Sequence, residues 1–311
     1  MKRQKQVFLM RRPAVDDAQA VLELMIARDI ADYGEPDSSL EDLLYDWGDI
    51  DLNQDSWLLF APDNTLAGYA AIYKNNADFA FDLYSHPAYE ADKPGESLLG
   101  LGEERIEAQL AGDKELGAGS ASTVVALVNT ADRQALEKAG YKPQKYYFRM
   151  LIELDALPGE PVWPEDCELR TIIPGQDDQM IYDFIQAAFD KPGRTPPSFE
   201  SWRDYMMRPD HFVPELWFLL FQRQELIGAA LCYDDSEFGW VRQLGVSSSW
   251  RQQGLGSKLL RHTFSVFFER GRKQIALGVD STNPTAVSFY EKVGMKCVRR
   301  YDEYHKVLAG K

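Results

Sequence analysis

The chain of 311 residues is poor in cysteine, histidine and positive charge, and it lacks a long apolar run. Its three cysteines, Cys167, Cys232 and Cys297, are odd in number and widely spaced. That excludes a disulfide framework and the paired spacing of a zinc site, and it fits a reducing, cytoplasmic location. The four histidines, His86, His211, His262 and His305, are scattered without ligand spacing, so no metal is expected. The apolar stretches fall far short of the ~20 residues that a membrane helix needs. Basic residues within positions 1–12 precede an apolar run too short for a secretory signal. A membrane is therefore not an expected partner. Lysine and arginine number 34 against 49 acids, a net charge of −15 at pH 7. Such a surface repels a phosphodiester backbone, so nucleic acid is not expected either, whereas an amine would be drawn to it.

Two phosphate-binding loops are also missing. A dinucleotide fingerprint needs a third glycine where this chain has Leu259, and the Gly-x-x-x-x-Gly-Lys-Ser/Thr loop does not occur. What is present is an apolar run ending at Val246, a short polar loop, Gly254 and Gly256, and then an amphipathic helix with Leu259, Leu260, Phe264, Phe267 and Phe268. A helix start offers unpaired N–H groups and a positive dipole end, and two glycines let the backbone close on an anion. The predicted ligand is a pyrophosphate held by Arg251, Gln252, Gln253, Gly254, Leu255, Gly256 and Ser257.

The length and an apolar content of 45% suit two domains of ordinary size. The halves can be laid over each other. Residues 65–73 parallel 225–233 at an offset of 160, Leu83 parallels Leu244 at 161, and Gly140 parallels Gly294 at 154. Three prolines and a glycine in residues 157–164 read as a linker. The expected domains are 1–156 and 165–311. In the first, residues 86–96 replace the polar loop. The paired glycines are read as lost, Pro94 removes a donor, and Glu90, Asp92 and Glu96 add negative charge.

The run from Arg251 to Gly256 resembles the Arg/Gln-x-x-Gly-x-Gly/Ala pyrophosphate loop of the GNAT acyltransferase superfamily. Residues 279–295, a strand end, Asn283, a short helix with Tyr290, and Gly294, resemble the family's later element. Tandem members of the mycothiol synthase type have one degenerate half, as this chain does. The resemblance implies a mixed α/β fold: two tandem GNAT-like domains, each a central twisted, mostly antiparallel sheet flanked by helices. It implies acetyl-CoA as co-substrate, a small-molecule amine as acceptor, and a monomer or homodimer. The backbone of Leu244, Gly245 and Val246 would bond the pantetheine arm and the thioester carbonyl. Asn283 would cap its helix or contact the coenzyme, since Asn before Pro is also how a helix starts. Tyr290 would be the general acid to the leaving thiolate. Glu237, in the turn before the key strand with Asp235, is the candidate general base.

Overall fold

The structure is a computed structural model that describes residues 7–113, 117–191, 194–234 and 238–310. The chain forms two compact units, residues 1–147 with 299–311, and residues 148–298. In chain order the first unit holds β1 (Leu9–Arg11), α1 (Ala18–Tyr33), α2 (Leu40–Trp47), α3 (Leu52–Asp55), β2 (Ser56–Phe60), β3 (Leu66–Asn75), β4 (Asp78–Ser85), α4 (Pro94–Gly112), β5 (Ala118–Ala126), α5 (Thr130–Lys138) and the first half of β6 (Lys142–Glu153). The second takes the rest of β6, then β7 (Cys167–Thr171), α6 (Asp178–Ala188), α7 (Phe199–Met206), β8 (Phe212–Gln222), β9 (Glu225–Asp234), β10 (Gly239–Val246), α8 (Leu255–Glu269), β11 (Gln274–Asp280) and α9 (Pro284–Lys292). The last strand, β12 (Lys296–Ala309), belongs to the first unit from residue 299 onward.

Each unit is a mixed α/β layer. The first has strand order β1-β2-β3-β4-β5-β12, antiparallel except for the parallel β4–β5 pair. The second has order β6-β11-β10-β9-β8-β7, with antiparallel pairing from β7 to β10 and parallel pairing of β10 with β11. Residues 216–221 of β8 are buried without alternation, the mark of a strand covered on both faces. One face of the first sheet packs on α4 through Phe81, Leu83, Leu98 and Leu99, and the other on α1 and α2 through Val21, Leu24, Trp47 and Tyr69. In the second unit, α8 and α9 cover one face, and α6 and α7 the other.

The unit boundaries differ from those expected at 156 and 165. Residues 148–156 fall in the second unit, because Met150 and Leu154 are buried among Leu277, Val279 and Met295. Residues 299–311 fall in the first, because β12 pairs with β5 from Tyr301↔Ala126 to Ala309↔Ala118 and buries Tyr304 and Leu308 in that core. The proline-rich stretch at 157–164 therefore lies within the second unit. Composition marks an irregular segment but does not reveal which sheet a distant strand completes.

The change of offset from 160 to 161 has a structural cause. Register is unbroken from Gly68↔Ser85 to Asn75↔Asp78 in the first unit. In the second it slips between Val241 and Gln243, leaving Arg242 as an extra, unpaired residue. Before the bulge Phe81 matches Val241 at 160, and after it Asp82 matches Gln243 at 161. Helix packing repeats as well. A Cβ at Gly68 would lie 2.8 Å from Leu98, and one at Gly228 would lie 2.8 Å from Leu259.

Candidate active site

The site is built on β10 and on the loop and helix after it. Parallel pairing with β11 is confined to Gly239↔Ile275 and Trp240↔Ala276, although β10 runs on to Val246 and β11 to Asp280. The other edge of β10 stays paired with β9 to Val246↔Gly228. The bulge at Arg242 bends the strand where the two parallel neighbours part. From Gln243 to Val246, one edge of β10 thus has no strand partner in β11. Arg242 is exposed and donates to the Tyr205 hydroxyl at 2.8 Å.

Alternation then divides the side chains. Leu244 and Val246 pack towards α8 with Leu255 and Leu259. Gln243 and Gly245 face α6. A Cβ at Gly245 would meet Ala188 at 3.1 Å and Phe184 at 3.3 Å, so α6 lies close over this residue. The Gln243 Oε1 atom is buried with no hydrogen-bond partner among the described residues, as is Gln186 Nε2 of α6.

After Val246 the chain makes a short helical turn at Ser248–Trp250 and reaches the predicted cradle. The Arg251 side chain ties the loop back to β10 and α6, donating to Val246 O and Ala188 O, each at 3.1 Å. Gln253 Nε2 donates to Ser249 O at 3.4 Å. Gln252 and Gly254 have φ of 64° and 78°, a left-handed pair of turns that brings the backbone round to the helix axis. Gly254 is the N-cap of α8 and supplies no side-chain cap. The Lys258 N–H is bonded to Gly254 O at 3.1 Å. The amides of Leu255, Gly256 and Ser257 come before it in the first helical turn, where N–H groups have no partner within the helix. A Cβ at Gly256 would lie 3.3 Å from Phe289 and 3.7 Å from Val246, so this glycine lets α8 start against both β10 and α9. Arg251, Gln252, Gln253 and Gly254 are exposed, Gly256 and Ser257 half-buried, and Leu255 anchors the turn in the core.

The second predicted element lies on α9. The Asn283 side chain accepts from Ala286 N at 3.1 Å, with Pro284 at the first helical position, so the capping role is met. Tyr290 is half-buried, packs beside Phe289 at a ring separation of 5.1 Å, and touches the core below β10 and β11. Burial pushes its phenol up to about 12, so the proton stays on at neutral pH. Glu237 and Asp235 lie outside the described residues. Among those described, no group of three or more His, Cys, Asp or Glu could hold a metal.

Sequence reading missed Gln243. The signal was the change of offset from 160 to 161, which marks the bulge and puts Gln243, not Arg242, on the inner face of β10.

The match to known proteins falls on these elements. The Acetyltransferase (GNAT) family matches residues 179–295. The mycothiol acetyltransferase of Catenulispora acidiphila is 26% identical over 306 residues, covering 93% of this chain and 95% of that protein. A GCN5-related N-acetyltransferase of known structure from Sphaerobacter thermophilus is 32% identical, with a TM-score of 0.83 over 98% of this chain and 97% of that one. A tandem GNAT protein from the clavulanic acid biosynthesis pathway shares the fold, with a TM-score of 0.77 at 12% identity over 98% of this chain and 100% of that one. The chain belongs to the GCN5-related N-acetyltransferase (GNAT) family.

Proposed function

We propose that the second unit moves the acetyl group of acetyl-CoA to the primary amine of a small molecule by direct attack, with Tyr290 as general acid. The observation that carries this reading is the parting of β10 from β11 beside a helix start without a side-chain cap. The amides of residues 252–257 would hold the pyrophosphate, and the positive end of the α8 dipole favours it. The open edge of β10 offers the N–H and C=O of Leu244 and the N–H of Val246 to an amide-bearing arm, whereas Gly245 turns its own towards β9, as the Ser247 N–H bond to Ile227 O fixes the alternation. One of those N–H groups would stabilise negative charge growing on the carbonyl oxygen, where a preorganised donor is worth most. Acetyl-CoA supplies the acetyl group as an activated thioester. Tyr290, protonated throughout the neutral range, would give its proton to the departing sulfur. Glu237 remains the proposed base for the amine. The first unit, with a different loop before α4, would hold no second coenzyme.

A second reading is favoured by the composition of β10, which carries no carboxylate. In that reading the protein is a non-catalytic acyl-CoA sensor or scaffold. A third has the amine on a protein or peptide. Release of free thiol from acetyl-CoA across a panel of amines separates these. Turnover with a small amine is expected; silence with every small amine, while acetyl-CoA still binds, would defeat the proposal, and turnover with peptides alone would move it to the third reading.

A further inference from the structure

The first unit carries an inward carboxylate without a cation. Asp82 lies on the face of β4 that α1 and α2 cover, where Tyr69, Tyr73 and Tyr84 also project from β3 and β4. The pairing sets their arrangement. Tyr69 stands opposite Tyr84 with rings stacked at 6.3 Å, and Tyr73 stands opposite Ala80. Asp82 stands opposite Ala71. The Tyr73 hydroxyl donates to Asp82 Oδ2 at 3.1 Å. Trp47 of α2 closes one side, its Nε1 donating to the Tyr69 hydroxyl at 2.7 Å with rings 6.1 Å apart.

Asp82 is half-buried, and its other oxygen, Oδ1, has no partner among the described residues. Asp82 forms no ion pair among them either. The charges felt by these tyrosines are mostly of one sign. Burial is the main cause that raises Tyr69, Tyr73 and Tyr84; Asp82 adds to it in all three, Asp46 of α2 in Tyr69 and Tyr73, and Asp29 of α1 in Tyr84. Asp29 itself is occupied, accepting from Ser38 Oγ at 2.8 Å and Asp37 N at 2.9 Å. Two arginines beside α1 have acids of their own: Arg28 bridges Asp32 and Glu90, and Arg299 bridges Glu35 and Asp37.

We propose that this face of the first unit binds an alkylammonium group, with Asp82 as its counter-ion and Tyr73, Tyr84 and Tyr69 as the aromatic wall. An ammonium gains from a carboxylate and from ring faces together, and neither partner alone would distinguish it from an alcohol of the same shape. The equivalent positions in the second unit are Gln243, Tyr233, Gly245 and Ala229, without the acid or two of the rings. The site is therefore separate from the acyl-transfer site and does not rest on it.

The test is isothermal titration of the full-length protein with butylammonium chloride at neutral pH, with butanol as the uncharged control. Saturable binding with a Kd of about 1 mM is expected for the ammonium and none for the alcohol. Asp82→Asn, which keeps the shape and removes the charge, should weaken it by about tenfold or more. Tyr84→Leu should weaken it by roughly threefold through loss of a ring face. Circular dichroism checks that each variant is folded, and if Asp82→Asn is not, Tyr84→Leu decides. Equal affinity in the wild type and the variants, equal affinity for butanol, or no binding at concentrations of about 100 mM would overturn the proposal.

Discussion

The two units share a backbone path at the helix start after β4 and β10, and the residues placed on it differ. The parallel strands part in each: β4 leaves β5 after Ala80↔Ser122, and β10 leaves β11 after Trp240↔Ala276. The following helix starts from a left-handed residue in each, Lys93 at φ 59° and Gly254 at φ 78°. In the register fixed by the strands, Pro94 takes the place of Leu255, Gly95 that of Gly256 and Glu96 that of Ser257. One glycine of the pair is therefore retained, contrary to the sequence reading, and the reason it stays is different. A Cβ at Gly95 would lie 2.6 Å from Asp132 Oδ1 and 3.0 Å from Ser85 Oγ. The Asp132 carboxylate accepts from Ser85 Oγ at 2.6 Å and from Asn129 Nδ2 at 2.8 Å. Glu96, in the first turn, is bound by Lys93 and Lys138. The first unit already supplies anions of its own at this helix start, and Pro94 removes one donor. The same backbone turn can thus carry opposite electrostatics in the two units.

The largest effect should come from forcing the second unit to resemble the first. The Gly254→Glu, Gly256→Glu double variant places two carboxylates at the α8 start, one on a left-handed residue and one against Phe289. Calorimetry should show one acetyl-CoA per wild-type chain and at least ~100-fold weaker binding in the variant, since like charge and lost backbone approach act together. Two sites in the wild type would undo the contrast, because the first unit would then hold a coenzyme too.

Tyr290→Phe tests the chemistry without touching the cradle. Removing the phenolic proton should lower kcat by roughly 10–100-fold and leave the KM for acetyl-CoA within about twofold. An unchanged kcat would end the acid role. The raised phenol predicts that loss of this proton does not limit the rate below about pH 12. A basic limb of kcat well below that value would belong to another group.

These contrasts were unevenly legible in the sequence. The α8 loop was readable because its signal is local: glycines at fixed spacing, an apolar period after them, and an Asn-Pro start on α9. The duplication was readable for the same reason. The exchange of β6 and β12 between units was not, because strand pairing joins residues far apart in the chain, such as Tyr301 and Ala126. Gly95 was overlooked because its match to Gly256 depends on the bulge at Arg242, which shifts the register by one. Glu237, offered as base, sits outside the described residues, and beside Gly245 the residue that β10 turns towards α6 is Gln243.

The next effect is smaller and concerns the helix start of the first unit. Asp132→Ala leaves Ser85 Oγ and Asn129 Nδ2 without their buried acceptor, which should cost about 1–3 kcal/mol in urea unfolding. It should not create a second coenzyme site, because Pro94 and Glu96 remain. If calorimetry of this variant shows two acetyl-CoA sites, Asp132 alone was excluding the coenzyme.

The smallest effect concerns the pair Asp82 and Gln243, which share a position in the two sheets. Burial raises the Asp82 carboxyl to about 6, with the Tyr73 hydrogen bond opposing the shift. A raised carboxyl means that the folded protein binds this proton more tightly than the unfolded chain does. Its contribution is full below the ordinary carboxylate range, about pH 4, and is lost as pH rises through about 6. Asp82→Asn removes that dependence, so relative to the wild type it should gain about 1–2 kcal/mol between pH 4.5 and pH 8, discounted for the partial exposure of the group. Asp32, also raised to about 6, titrates in the same window, but it does so in both proteins and cancels in the difference. Urea midpoints at the two pH values measure it, and a difference that does not move with pH would sink the assignment. A carboxylate that lowers stability at neutral pH, where the other unit has an amide, is what a binding role for Asp82 requires: the charge is held against its own stability cost until a cation meets it.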